Sequence, residues 1–449
     1  MLSASRSRAV LIGLLAGLAA SPAGGQTAAE RNACFGNDAT DEQTIAGCSA
    51  VITGGTTAAS ELASAYSNRC FAYTHKKDFA NALPDCEQAI KLGPNDANNW
   101  NNRGNVHYGK GNYTHALQDF DQAIKLRPNF AYALNNRGMV RAKIGDSAHA
   151  FEDYAAAIKI NPNYGEAWEN RGRLYFDRRD YAHALEDLNR AAQLNPRSAS
   201  VREWRGRTFA ARNDWAKAIQ DYDEALKIKP DSVDAFASRA AAHRNLRHYE
   251  LAIADYDQAI ILEPERPLFY AERGIVYRSM EQWDMAIADF DKALKIDPEY
   301  TTALHNRALA RGAKDDVEGA LHDYDETVRL DPRDYQAWNG ACWYRAIAGK
   351  LERALADCNR GLRANASDSN TLDSRGFVEL RLKHYEAAIA DYDAALHLNA
   401  KLAASLYGRG LAKRLNGDKP GGDSDVEAAL KLNPSLPKDF EKWGVPSQP

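Results

Sequence analysis

Six cysteines, three evenly spaced histidines and a recurring arginine–aspartate pair are the residues whose types and spacing could do chemistry in this chain. Cys70 and Cys86 stand 16 residues apart, as do Cys342 and Cys358, while Cys34 and Cys48 enclose 13 residues. An even cysteine count fits disulfides in an exported chain, and a small apolar core residue is the other reading of a cysteine. His115, His149 and His183 recur at intervals of 34 residues, which invites a metal. Packed helices lie about 8–10 Å apart, too far for histidines one interval apart to share an ion at bond lengths of about 2 Å. They read as solvated helix starts. The sequence contains no G-x-S-x-G, H-E-x-x-H, C-x-x-C or phosphate-binding loop. No catalytic residue, cofactor or metal is expected.

The elements that must position these residues repeat with a fixed step. Prolines stand at 94, 128, 162, 196, 230, 264, 298 and 332, Ala366 and Ala400 keep the interval of 34, and Pro434 resumes it. A period of this size marks a repeat architecture in which neighbouring units share one core. With the proline as position 32, repeat 1 begins at residue 63 and repeat 11 at residue 403. Each reads as two helices, the second leaving through the proline. Composition agrees: 26% charged, 45% hydrophobic and a formal charge of −4 fit a folded soluble chain, with no excess charge for nucleic acid or a membrane surface.

Residues 1–23 read as a secretory signal, with Arg6 and Arg8 ahead of the apolar run Ala9 to Ala20 and the small residues Ser21-Pro22-Ala23. That run of 12 is too short for a membrane span. The predicted organisation is a signal over 1–23, a capping segment over 24–62, eleven repeats over 63–434 and a tail over 435–449. The expected location is periplasmic or secreted, where the cysteines could be oxidised.

The cysteines fall at telling positions. Cys70/Cys86 and Cys342/Cys358 occupy positions 8 and 24 of repeats 1 and 9. Elsewhere position 8 is mostly glycine (Gly104, Gly138, Gly172) and position 24 mostly aromatic (Phe120, Tyr154, Tyr256). A small residue facing a large one lets two helices approach, so a paired replacement by cysteine reads as a bridge across the hairpin. Cys34–Cys48 would be the third bridge. Arginine fills position 7 in ten of eleven repeats, Ala341 being the exception, and aspartate fills position 23 in all eleven. The pair reads as a structural ladder that penalises wrong register more than it adds stability.

The pattern resembles the tetratricopeptide repeat, as in Tyr270, Gly274, Ala286, Phe290, Ala293 and Pro298 of repeat 7. The resemblance implies an all-α, right-handed superhelical solenoid of about eleven helix-turn-helix units. It depicts a non-catalytic scaffold whose first helices line a concave, peptide-binding face through positions 2, 5, 6, 9, 12 and 13. Departures gather at the end, where Pro420, Gly421 and Gly422 cast doubt on the last hairpin and only 437–443 remain for a closing helix.

Position 6 carries Asn68, Asn102, Asn136 and Asn170, joined by Asn101 and Asn135 at position 5 and Asn105 at position 9. An amide both donates and accepts, so such a ladder suits an extended main chain. It resembles the asparagine ladder of the repeat domain in O-linked N-acetylglucosamine transferase, whose catalytic half has no counterpart in this sequence. Later repeats place Trp343, Phe377, Tyr407 and Leu411 at positions 5 and 9, an apolar stripe of the kind that marks an interaction surface. The lysines of the co-chaperone carboxylate clamp are absent. The expected partners are proteins or peptides, with no nucleic acid. The alternative is an envelope assembly factor engaging a polysaccharide or an export machine, so a glycan partner stays open.

Overall fold

The computed structural model describes residues 27–36, 38–54 and 58–446. The signal reading over 1–23 lies outside them. Among the described residues there are 25 helices and no strand, so the fold is an all-α helical repeat solenoid. The chain divides into two compact bodies at Arg197/Ser198. The first holds an N-terminal hairpin and repeats 1–4; the second holds repeats 5–11 and the tail.

Each repeat is built by the same local rules. In repeat 2 the first helix runs Ala97–Gly109 and the second Tyr113–Leu126. Between them, position 15 takes positive φ in every repeat: Gly111 at 76° and Gly145 at 87°, but also Lys77, Arg179 and Glu281 near 60°. The position-16 N–H then reaches back to the carbonyl five residues earlier, as in Asn112 N to His107 O at 2.8 Å, closing the end of the first helix. Tryptophan at position 4 ties one repeat to the last: Trp100 Nε1 donates to Pro94 O at 2.8 Å and Trp338 Nε1 to Pro332 O at 3.0 Å.

Within the hairpin, a Cβ added to Gly104 would stand 2.6 Å from the Phe120 ring, and one at Gly274 would stand 2.7 Å from Phe290. The close approach of the two helices therefore keeps position 8 small, glycine in most repeats and alanine at Ala240 and Ala308. Repeats 1 and 9 solve the same contact with sulfur. Cys70–Cys86 and Cys342–Cys358 are bonded with Cα separations of 5.4 and 5.3 Å, and Cys34–Cys48 joins helices Ala28–Phe35 and Asp41–Thr53 at 4.6 Å.

The arginine–aspartate ladder is present throughout. In repeat 8, Arg307 sets Nε and Nη2 on the two oxygens of Asp323, at 2.9 and 2.7 Å, and extends Nη1 to Asp291 of repeat 7 at 2.5 Å. One guanidinium thus binds its own hairpin and the one before. Where Ala341 breaks the pattern, Arg345 reaches the corresponding partners, Asp357 and Asp325, from one turn further along.

Two expectations about the ends change. The helix before repeat 1 is continuous with it, running Ala59–His75, so a boundary at 62 falls inside a helix. The last hairpin is regular, its second helix spanning Lys419–Leu432. Pro420 sits in the first turn, where no N–H is required. Gly422 lies against the Gly410 carbonyl, where a Cβ would stand 2.6 Å away.

Candidate functional site

In the first body the first helices of successive repeats lie side by side, and their asparagines bond from repeat to repeat. Asn68 Nδ2 donates to Cys34 O at 2.9 Å, and Asn102 Nδ2 donates to Ser67 O and Oγ at 3.3 and 3.1 Å. Asn136 Nδ2 donates to Asn101 Oδ1 at 3.1 Å and to Asn105 Oδ1 at 3.0 Å. Asn170 Nδ2 donates to Asn135 Oδ1 at 3.0 Å. The position-6 amides are therefore the stitching between repeats.

This sorts the predicted ligand residues. Asn101 and Asn135 are buried, 7% and 1% exposed, and Asn135 Nδ2 is turned inward to Tyr164 Oη at 3.2 Å. Neither stands on the open face, which corrects the expectation for position 5. Asn102, Asn105, Asn136 and Asn170 remain half-buried. Asn102 and Asn105 line a hollow of about 300 Å³ with Phe71, Thr74 and Tyr108. A neighbouring hollow of about 250 Å³ shares Tyr108 and is lined by Asn170, Lys143 and Arg173. Phe71 is 44% exposed beside His75, ring centres 4.1 Å apart. Burial pushes the Tyr108 hydroxyl above its ordinary pKa, so it stays protonated at neutral pH. Phe71 and Tyr108 occupy positions 9 and 12, inside the lining set that the resemblance implied, and attention to asparagine alone passed them over.

In the second body the apolar stripe is covered by the chain itself. The helix Leu436–Lys442 packs Phe440 between Phe377 and Tyr407, with ring centres at 5.8 and 4.8 Å. Trp443 meets Trp343 edge-on at 4.8 Å, and Lys442 reaches Asp315 at 2.7 Å. Phe377 is left 2% exposed and Phe440 equally so. The expectation that Trp343 and Phe377 stand open to a partner is thus corrected. Large apolar groups left in water cost about 1.5–3 kcal/mol each, and the tail supplies the missing contact.

The histidines at position 19 sit at helix starts. His149 Nδ1 lies 2.8 Å from Asp146, and His183 Nδ1 lies 2.7 Å from Asp180, each aspartate being the residue just before its helix. Among the described residues no group of three histidines, cysteines or acids could hold a metal ion. No described helix is long and apolar enough to cross a membrane.

Family models described as tetratricopeptide repeat match residues 63–96, 97–130, 131–164, 169–233, 267–300 and 305–369, together more than half of the chain. No curated protein matches. Solved structures similar to this chain include a tetratricopeptide repeat protein from Parabacteroides merdae. It is 22% identical, covering 55% of this chain and 98% of that one, with a TM-score of 0.45. The repeat domain of P58(IPK) is 21% identical over 79% of this chain and 98% of its own, with a TM-score of 0.34. YrrB, a repeat protein with an unusual peptide-binding site, is 20% identical over 42% of this chain and 96% of its own, with a TM-score of 0.36.

Proposed function

From the premise that the chain belongs to the tetratricopeptide repeat family, a family of generally non-catalytic protein-binding scaffolds, we propose that its first body captures an extended peptide segment. The hollow at Asn102 and Asn105 is the observation that carries this reading. Asn102 spends its N–H groups on Ser67 and keeps an oxygen, while Asn105 spends its oxygen on Asn136 and keeps its N–H groups. One acceptor and one donor in a single hollow complement one peptide unit, which carries one of each. Phe71 and Tyr108 add flat apolar surface beside them, giving weak side-chain preference over main-chain recognition.

The scaffold acts in an exported, oxidising compartment on this reading. Three bonded cysteine pairs fit that setting, as does the signal-like start of the sequence. Aromatic and amide groups in one hollow would also hold a sugar, so a glycan array belongs beside the peptide screen. Glycan capture without peptide capture would move the function to polysaccharide assembly.

The test is capture of extended peptides by two variants. Asn105→Ala/Tyr108→Ala should weaken capture about tenfold or more while lowering the melting temperature only modestly, because Asn136 keeps Asn101 as an acceptor when Asn105 is lost. Replacing Asn102, Asn136 and Asn170 by alanine should weaken capture and also lower the melting temperature, because each loses an inter-repeat bond of about 1 kcal/mol. Capture unchanged in the first variant would remove the hollow from the mechanism.

A further inference from the structure

Repeats 9–11 and the tail enclose a cavity of about 380 Å³, within the range of about 300–1,000 Å³ typical of small-ligand sites. Leu351, Tyr385, Leu411 and Leu415 form its apolar walls, and the tail closes one side at Gly444, Val445 and Pro446. Two cations, Arg381 and Lys383, stand among the lining residues, and no aspartate or glutamate does.

Arg381 differs from the ladder arginines of these repeats. Arg375 and Arg409 each set two nitrogens on an aspartate, Asp391 and Asp425, at 2.5–2.7 Å. Arg381 instead donates to the carbonyl oxygen of Ala346 and lies 5.8 Å from the centre of the Phe377 ring, with no carboxylate bonded to it among the described residues. The contrast shows in proton affinity. Hydrogen bonds donated to their aspartates raise the pKa of Arg375 and Arg409, whereas burial alone lowers that of Arg381. A half-buried cation with no counter-charge among the described residues is costly, and an arriving anion would relieve that cost.

We propose that this cavity binds an apolar carboxylate, its charge on Arg381 with Lys383 at the rim and its apolar body against Leu351, Leu411 and Leu415. A fatty acid and the C-terminal end of an apolar peptide share that chemistry. The site is separate from the asparagine hollow, so Asn105→Ala/Tyr108→Ala should leave it untouched, and the two readings can fail independently.

The experiment is calorimetric titration of the whole chain with octanoate and, as the uncharged analogue of equal length, octanol. Octanoate should bind about tenfold tighter or better, a charge-assisted pair being the difference. Arg381→Gln should reduce octanoate to the level of octanol without lowering the melting temperature, and Lys383→Gln should weaken octanoate by a smaller factor. An apolar tripeptide with a free C-terminus, compared with its amide, separates the sources: competition by the free acid beyond octanoate itself assigns a peptide end, and octanoate superiority assigns a fatty acid. Equal binding of octanoate and octanol would overturn the proposal, as would octanoate binding that survives Arg381→Gln. Should Arg381→Gln fail to fold, the octanoate-to-octanol ratio of the native chain and the Lys383→Gln variant decide the matter.

Discussion

The two bodies use one repeat and expose opposite surfaces. In the first, the inner positions hold amides that bond across repeats and leave hollows beside Asn102 and Asn170. In repeats 9–11 of the second, positions 5 and 9 hold Trp343, Phe377 and Tyr407, and the chain folds its own tail onto them. The difference follows from solvation. Half-buried amides can satisfy one another and still face water, whereas a row of aromatic rings cannot stay wet without cost. This solenoid therefore keeps an open, hydrated face where its inner residues are polar, and a self-occupied one where they are the aromatic residues of the last repeats.

The ladder is what the bodies share, so breaking it should hurt both alike. Asp153 accepts from Arg137 and Arg141, as Asp323 does from Arg307 and Arg311. Replacing either aspartate by alanine takes the shared carboxylate from two guanidinium groups, leaving Arg137 or Arg307 only its partner in the previous repeat, Asp121 or Asp291, and should cost about 3–5 kcal/mol, read by chemical denaturation. A large loss in one body alone would show that the ladder is not equivalent in the two.

Phe440→Ala should separate them. It removes the ring that covers Phe377 and Tyr407 and should cost about 3–4 kcal/mol, with new binding of a hydrophobic dye. The first body should keep its hydrogen-exchange protection. Reduction of the disulfides follows in size, at about 2–4 kcal/mol per bridge. It should act in both bodies, through Cys70–Cys86 in one and Cys342–Cys358 in the other, as a lower melting temperature in reductant.

The smallest effect is on pH dependence. Burial pushes the Asp373 carboxyl up to about 6, with a partly offsetting hydrogen bond from Ser405. Its unfolded value is near the ordinary carboxylate pKa of about 3.9, so the folded state holds the proton more tightly between those limits. The contribution of Asp373 to stability should therefore rise as pH falls from about 6 to about 4. Asp373→Asn should flatten that rise and add about 1–2 kcal/mol at neutral pH, less than the full shift implies because the group is partly exposed. A steeper rise in the variant would contradict the assignment.

Much of this was legible in the sequence, because whatever depends on the period is written at constant spacing. Position 7 finds position 23 in every hairpin but that of Ala341, and position 8 finds position 24 in all of them; the cysteine pairs follow from the second rule. What lay between repeats was harder to read. That Asn136 would spend its amide on Asn101 and Asn105 depends on the side chains of the previous repeat, not on spacing within one. The tail was hidden for a different reason. Its helix, Leu436–Lys442, is too short to show a period, and the partner of Phe440 lies some sixty residues earlier at Phe377. Phe71 and Tyr108 carried a signal in their register, at positions 9 and 12, that composition alone did not single out.

The central proposal is that the first body reads main chain in an open groove, whereas the apolar stripe of the last repeats is filled by the chain itself. Hydrogen exchange of the native chain with and without a captured extended peptide tests it most directly. Protection gained in the first helices of repeats 1–4, above all Ala97–Gly109, with Leu436–Lys442 unchanged, is the predicted result. Protection confined to repeats 9–11 with the tail released would contradict it.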